Sequence, residues 1–189
     1  FQTLPFAQKR DLKGADALGE LERALRKAVH RRLEADVEVG CYLSGGVDSA
    51  LIAAMASDLG AKPRAFTVGF TDRDFDERQP ASSIAKDLGI EHQTILLNGQ
   101  NFIPALIRSI VAFENPITNP HGAAKNLLAS LASSHVKVVL SGEGADEWFG
   151  GYAYFRADKL KNFSVRHQRL CKNAMKLFLQ REGGKNMGH

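Results

Sequence analysis

Two short stretches combine residue types and spacings that suit phosphate chemistry. In "CYLSGGVDSALIAAMA", Cys41 to Ala56, an apolar run ends in Ser44-Gly45-Gly46 and restarts as a helix with Asp48 and Ser49 in its first turn. Glycines at 45 and 46 let backbone N–H groups turn toward a ligand with no side chain in the way. The helix behind them adds its positive end, and Ser44 and Ser49 add hydroxyl donors. Asp48 is the odd member, because a carboxylate repels phosphate unless a divalent cation lies between them. The stretch reads as a pyrophosphate cradle with its own Mg²⁺ ligand. Ser-Gly-Gly alone also suits a plain tight turn and helix cap. The Asp and Ser that follow, directly after a strand, favour the cradle. Neither G-x-x-x-x-G-K-[ST] nor G-x-G-x-x-G occurs here, so the stretch is neither a Walker A loop nor the dinucleotide fingerprint.

The second stretch is "SGEGADEWFGGY", residues 141–152. Ser141, Gly142 and Gly144 offer donors, while Glu143, Asp146 and Glu147 place three acids within five residues. That density is costly unless a cation or a cationic partner is near, the alternative being a solvated acidic loop. Asp48 and Asp146 are then the pair expected to hold one Mg²⁺ against the phosphates of ATP.

Both stretches need a scaffold that brings them together. Leu18, Leu21, Leu25, Ala28, Val29 and Leu33 recur at three and four, predicting an amphipathic helix over 15–34. "VEVGCYL" (37–43) reads as a buried strand, 47–59 as an alanine-rich helix, and 64–70 as a second strand. Residues 76–89 form a helix stopped by Gly89, and 92–97 a third strand. Helices over 101–113 and 120–134 are split by "ENPITNP", where Pro116 and Pro120 interrupt the pattern. A fourth strand covers 136–140, and a helix fills much of 155–181. The alternation implies an α/β fold: a doubly wound, mainly parallel sheet with helices on both faces. Ligands of such sheets bind beyond the carboxyl ends of the strands, where the strand order reverses. The two glycine-rich loops follow the first and fourth strands. They meet if the first three strands run to one side and the fourth pairs with the first on the other.

Composition narrows the classes. The 189 residues, 44% hydrophobic and 24% charged, suit one globular domain, with 15–156 as core and 157–189 as a basic helical tail. No apolar run reaches membrane-spanning length, and no signal-peptide pattern opens the chain. Cys41 and Cys171 stand in no metal-ligand spacing and read as buried free thiols, which fits a reducing cytoplasm. Residues 156–189 carry nine Lys/Arg against two acids, whereas the other 155 carry 16 against 19. The basic run suits an anionic partner or, the favoured reading, the solvated face of a helix whose other face holds Leu170, Ala174, Leu177 and Phe178.

"LSGGVDSA" followed by "VVLSGEGADEWFGGY" resembles the synthetase domain of glutamine-hydrolysing asparagine synthetases, members of the PP-loop ATP-pyrophosphatase superfamily. The likeness extends through "FTVGFTDRDFDER" and "ASSIAKDLGIEHQ" and spans about 15–156. What it implies is adenylation: a substrate carboxylate attacks the α-phosphate of ATP, pyrophosphate leaves, and an amine displaces AMP. The resemblance implies that Ser44, Gly45, Gly46 and Ser49 hold the pyrophosphate part, with Ser141 in the second loop. It puts Leu43, Val68 and Gly142 at the adenosine, Asp48 and Asp146 on Mg²⁺, and Glu143 beside the reacting carboxyl. The catalytic set is therefore Glu143, Asp48 and Asp146. The implied acceptor is aspartate or a related acid, with ammonia or an amine as the nitrogen source.

Departures from the family pattern matter. The usual glutaminase, with its Cys at the first mature position, is missing from a chain that begins Phe1-Gln2, so a separate glutaminase or C-terminal partner chain is expected. Relatives carry an intermediate-stabilising lysine well downstream; Lys159, Lys161 and Lys172 come too early to match it. "FENPITNPHG" stands where many relatives have Asp-Glu-Pro and then Asp-Pro-Ser. Trp148 replaces a smaller aliphatic residue and is expected to pack in the core. Three alternatives stay open: a macrolactam or β-lactam synthetase with the same chemistry, a tRNA-modifying PP-loop enzyme served by the basic tail, and a catalytically dead fragment that only binds nucleotide or a partner chain. The acidic second loop and the lack of paired cysteines argue against a nucleic-acid substrate.

Overall fold

The structure, a computed structural model, describes residues 14–115 and 119–155. The basic tail, Cys171 and nearly all of the helix expected over 155–181 lie outside the described residues. Ten elements follow in chain order: α1 Gly14–Leu33, β1 Val39–Tyr42, α2 Val47–Asp58, β2 Ala65–Phe70, α3 Arg78–Leu88, β3 His92–Leu97, α4 Gly99–Phe113, α5 His121–Ser133, β4 Val138–Leu140 and α6 Ala145–Phe149. The four strands pair in parallel in the order β3-β2-β1-β4, which is the arrangement that brings the two glycine-rich loops together.

Each strand sends alternate residues to opposite faces, and both faces are covered. On one side Cys41 and Ala65 join Val29 of α1, Ala53 and Ala56 of α2, and Ala81 and Ala85 of α3. Small residues on α2 and α3 let those helices approach the sheet closely. On the other side Phe66 packs with Ala132 and Val136, and Leu97 packs with Ala124 and Leu127 of α5. The doubly wound α/β architecture follows from this two-sided burial. Cys41 is a free thiol with no exposed surface, and burial pushes its pKa up to about 12, so it stays inert. Among the described residues no helix is long and apolar enough to cross a membrane.

Local chemistry shifts several boundaries. α4 starts at Gly99, earlier than the spacing predicts. Asn98 accepts from the backbone N–H of Gln100 and Asn101, and Asn101 accepts the N–H of Asn98, forming a capping box. α3 starts later than expected because Asp76 takes the Arg78 N–H and holds the approach as a turn. Gly89 closes α3 in the left-handed region at φ 64°, as its position predicts. β1 and β4 are shorter than their apolar runs. Val37 is exposed, and Val136 donates its N–H to Ala132 at the end of α5 while its side chain covers Phe66. The structure adds α6, five residues within what reads in sequence as a loop, framed by Gly144 at φ 92° and Gly150 at φ 69°.

Gly40 and Gly19 illustrate two glycines with opposite roles. A Cβ at Gly40 would sit 2.8 Å from Cε2 of Phe66 and 2.9 Å from the Arg64 carbonyl oxygen. Gly19 lies within α1 with nothing within 4 Å of such a Cβ. Gly40→Ala is expected to destabilise the fold by about 1–3 kcal/mol through overpacking. Gly19→Ala is expected to stabilise it by about 0.5–1 kcal/mol by removing chain entropy from a helix. Urea unfolding of the two variants checks both signs.

Candidate active site

A cavity of about 630 Å³ opens where β1 and β4 end, with β2, α4 and α5 completing its walls. Of the residues singled out in sequence, Leu43, Ser44, Asp48, Ser49, Val68, Ser141, Gly142, Glu143 and Asp146 line it. Gly45 and Gly46 are not part of its lining. The Gly45 N–H donates to Oε2 of Glu77 at 3.3 Å, and the Gly46 N–H donates to Oγ of Ser44 at 3.1 Å. Ser49, nearly buried, pins the loop. Its Oγ accepts the Ser44 N–H at 3.0 Å and meets the Ser44 hydroxyl at 2.8 Å. Ser49 in the first turn of the helix is thus fixed to the strand end, while Gly46, the N-cap of α2, offers the first-turn N–H groups no side-chain cap.

The two loops touch through Gly142. A Cβ there would fall 2.7 Å from the backbone N of Ser49 and 2.8 Å from the carbonyl carbon of Asp48. No side chain fits, so glycine is required for closeness rather than for an unusual backbone angle. The contact places Asp48 and the acidic segment 143–147 around one space.

The three acids of that segment each find a different environment. Glu143 Oε1 lies 3.4 Å from Nζ of Lys125 on α5. Glu147 accepts the Tyr152 hydroxyl at 2.7 Å; the bond holds the Glu147 carboxyl below its ordinary pKa and raises the Tyr152 phenol to about 12. Asp146 lies against the backbone of Gly151, whose N–H donates to the Asp146 carbonyl at 3.1 Å. Asp48 and Asp146 therefore face one cavity from two loops. Among the described residues no group of three His, Cys, Asp or Glu gathers to hold a metal unaided. Two carboxylates completed by phosphate oxygens and water are what Mg²⁺ commonly uses, so the residues fit that ion.

Thr67, Glu77 and Lys125 also line the cavity from outside the two motifs, as does Tyr152, the last residue of the second motif, which the sequence does not single out. Thr67, buried in β2, donates its hydroxyl to the Leu43 carbonyl at 2.6 Å and meets Nε2 of His92 at 2.8 Å. With the Thr67 proton committed to Leu43, the His92 proton sits on Nε2. The chain His92–Thr67–Leu43 ties β3, β2 and β1 together one residue before the Ser44 loop. Trp148 corrects an expectation. It is 80% exposed rather than packed in the core, because α6 buries none of its residues.

Two glycine-rich loops and a cavity stand at the switch point of a parallel, doubly wound α/β sheet. An NH3-dependent NAD synthetase from Campylobacter jejuni shares the fold, with a TM-score of 0.50 and 20% identity, covering 71% of this chain and 60% of the other. The sequence profile of the asparagine synthase family matches residues 20–186, and the chain belongs to that family. Asparagine synthetase [glutamine-hydrolyzing] 1 of Bacillus subtilis is 36% identical over 137 residues, covering 72% of this chain and 22% of the relative. The nodule asparagine synthetase [glutamine-hydrolyzing] of Pisum sativum is 36% identical over 165 residues, covering 80% and 28%. Amidase chry2 of Gibberella zeae is 33% identical over 168 residues, covering 80% and 25%. The chain thus spans about a quarter of the length of these relatives.

Two outcomes follow from the geometry. Gly142→Ala is expected to cost about 1–3 kcal/mol and to lower the melting temperature by several degrees, since the two loops must separate. Differential scanning calorimetry measures it. Burial lowers the pKa of His92 below its ordinary value of 6.5. The folded state then binds fewer protons than the unfolded chain as pH falls through about 6.5, so stability is lost below that pH and is full above it. His92→Gln is expected to flatten the decline of stability between about pH 7 and 5, read from urea midpoints across that range.

Proposed function

We propose that the chain is the ATP-handling part of an amide-forming ligase of asparagine-synthetase type. A carboxylate acceptor attacks the α-phosphorus of ATP, pyrophosphate departs, and ammonia or an amine displaces AMP to give the amide. The observation that carries this reading is the Gly142 contact, which closes two glycine-rich loops around one cavity in a member of the asparagine synthase family. Ser44, Ser49, Ser141 and backbone N–H groups of both loops would hold the pyrophosphate part. Leu43, Val68 and Gly142 would border the adenosine, and Glu143 would stand by the acceptor. Asp48 and Asp146 would hold Mg²⁺, which neutralises charge on the leaving group when bound. The scaffold's contribution is orientation: the Ser44–Ser49 staple and the Thr67 bond fix the loop before any ligand arrives.

A second reading keeps adenylation and changes the acid, as in a macrolactam or β-lactam synthetase. The departure of residues 113–121 from the usual Asp-Glu-Pro pattern favours it, since Phe113 lines the cavity.

ATP–pyrophosphate exchange over a panel of acids, aspartate first, distinguishes these readings. AMP and pyrophosphate are the expected products; ADP as the main product would overturn adenylation altogether. Asp48→Ala and Asp146→Ala are each expected to weaken Mg·ATP binding by roughly tenfold or more, measured by calorimetry, since each removes an oxygen ligand from a hard cation. Unchanged Mg·ATP affinity in both variants would exclude the shared metal site.

A further inference from the structure

The cavity lining holds five carboxylates (Asp48, Glu77, Glu143, Asp146 and Glu147) and a single cationic side chain among the described residues, Lys125. An acidic pocket of this kind repels any anionic ligand unless positive charge stands inside it. Mg²⁺ held by Asp48 and Asp146 would serve the wall formed by the two loops. Lys125 stands on another wall, carried by α5.

Its position is fixed by the helix rather than by its own contacts. Gly122, Ala123, Ala124 and Leu127 are buried, so α5 is anchored on both sides of the residue. Lys125, Leu128 and Ala129 follow the three-and-four spacing of one helical face, and all three line the cavity. That face therefore presents an apolar wall with an ammonium at one end. Leu43, Val68 and Phe70 extend the apolar surface from the sheet. An apolar wall ending in a cation fits a nucleoside that carries a phosphate. Lys125 is paired with Glu143 at 3.4 Å, but both side chains are well exposed, at 60% and 73%. Such a pair is weakly held, so the ammonium is free to exchange one carboxylate for a more highly charged phosphate.

We propose that Lys125 is a phosphate-binding residue of the nucleotide site, recruited from the pair with Glu143 when nucleotide enters. The inference rests on the reading of the cavity as a nucleotide site. It names the cation that the second wall supplies from among the described residues.

AMP binding without metal, measured by isothermal calorimetry on the 189-residue chain at low salt, isolates this contact from Asp48 and Asp146. Lys125→Met is expected to weaken AMP about tenfold, the scale of one charge-assisted hydrogen bond. Lys125→Arg should keep most of the affinity. Glu143→Gln should tighten AMP, because it removes the carboxylate that competes for the ammonium. The gap between wild type and Lys125→Met should narrow in 1 M salt. Unchanged AMP affinity in Lys125→Met, or equal losses in Lys125→Met and Glu143→Gln, would reduce the pair to a surface ion pair and overturn the proposal. If the wild-type chain binds no AMP but binds Mg·ATP, Lys125 alone is excluded. If it binds neither, the nucleotide reading falls and this inference with it.

Discussion

The parallel pairing of β4 with β1 is the constraint on which the rest of the site depends. It sets Leu140 beside Cys41, so the chain leaves both strands at the same level and on the same edge of the sheet. Everything downstream of that register is a problem of crowding. The Asp48–Ser49 backbone arrives from one strand and residue 142 from the other, and they meet within van der Waals distance. Only a residue without a Cβ leaves both chains in place. Had β4 paired on the far side of β3, the same two sequences would stand three strands apart, about 14 Å at ordinary strand spacing, and no shared cavity would form.

Closeness creates an electrostatic difficulty that the structure meets locally. Bringing Asp48 beside a segment with three acids concentrates like charge, which alone would raise carboxyl pKa values and loosen the loops. Glu147 is relieved by the Tyr152 hydroxyl, a neutral donor, and Glu143 by the Lys125 ammonium. Glu77 accepts the Gly45 N–H. One backbone donor of the first loop, the Gly45 N–H, is therefore already directed at negatively charged oxygen, the kind of acceptor a phosphate would present.

The sequence carries most of this because its strongest signals are geometric. Two-sided burial makes strands read as short apolar runs, and the strand order follows from placing the second loop beside the first. The two glycine loops stand out because few other tasks need glycine, hydroxyl and carboxylate at a strand end. What sequence reasoning misses is set by tertiary contacts. Lys125 looks like an ordinary exposed helix residue until α5 is docked with Leu128 and Ala129 facing the cavity. Thr67 and His92 are unremarkable strand residues until β2 and β3 pair in register. Trp148 misleads for the opposite reason. A large aromatic beside an apolar strand suggests burial, but the two left-handed glycines around α6 turn it outward.

The His92–Thr67–Leu43 chain fixes the strand end from which the first loop departs. A threonine hydroxyl buried in a parallel sheet would be costly if unpaired. Here it is satisfied twice, once by a carbonyl of the strand that launches the first loop and once by a ring on the third strand. The bond fixes the direction of the Leu43 carbonyl, and Leu43 itself packs with only 2% of its surface exposed. Ser44 therefore leaves the strand from a rigid point, and the Ser49 hydroxyl catches it within one turn of α2. Rigidity at both ends of a loop that short leaves it little freedom to reorganise on binding. A ligand that fits the loop does not have to order it first, which is the economy a preorganised phosphate cradle depends on.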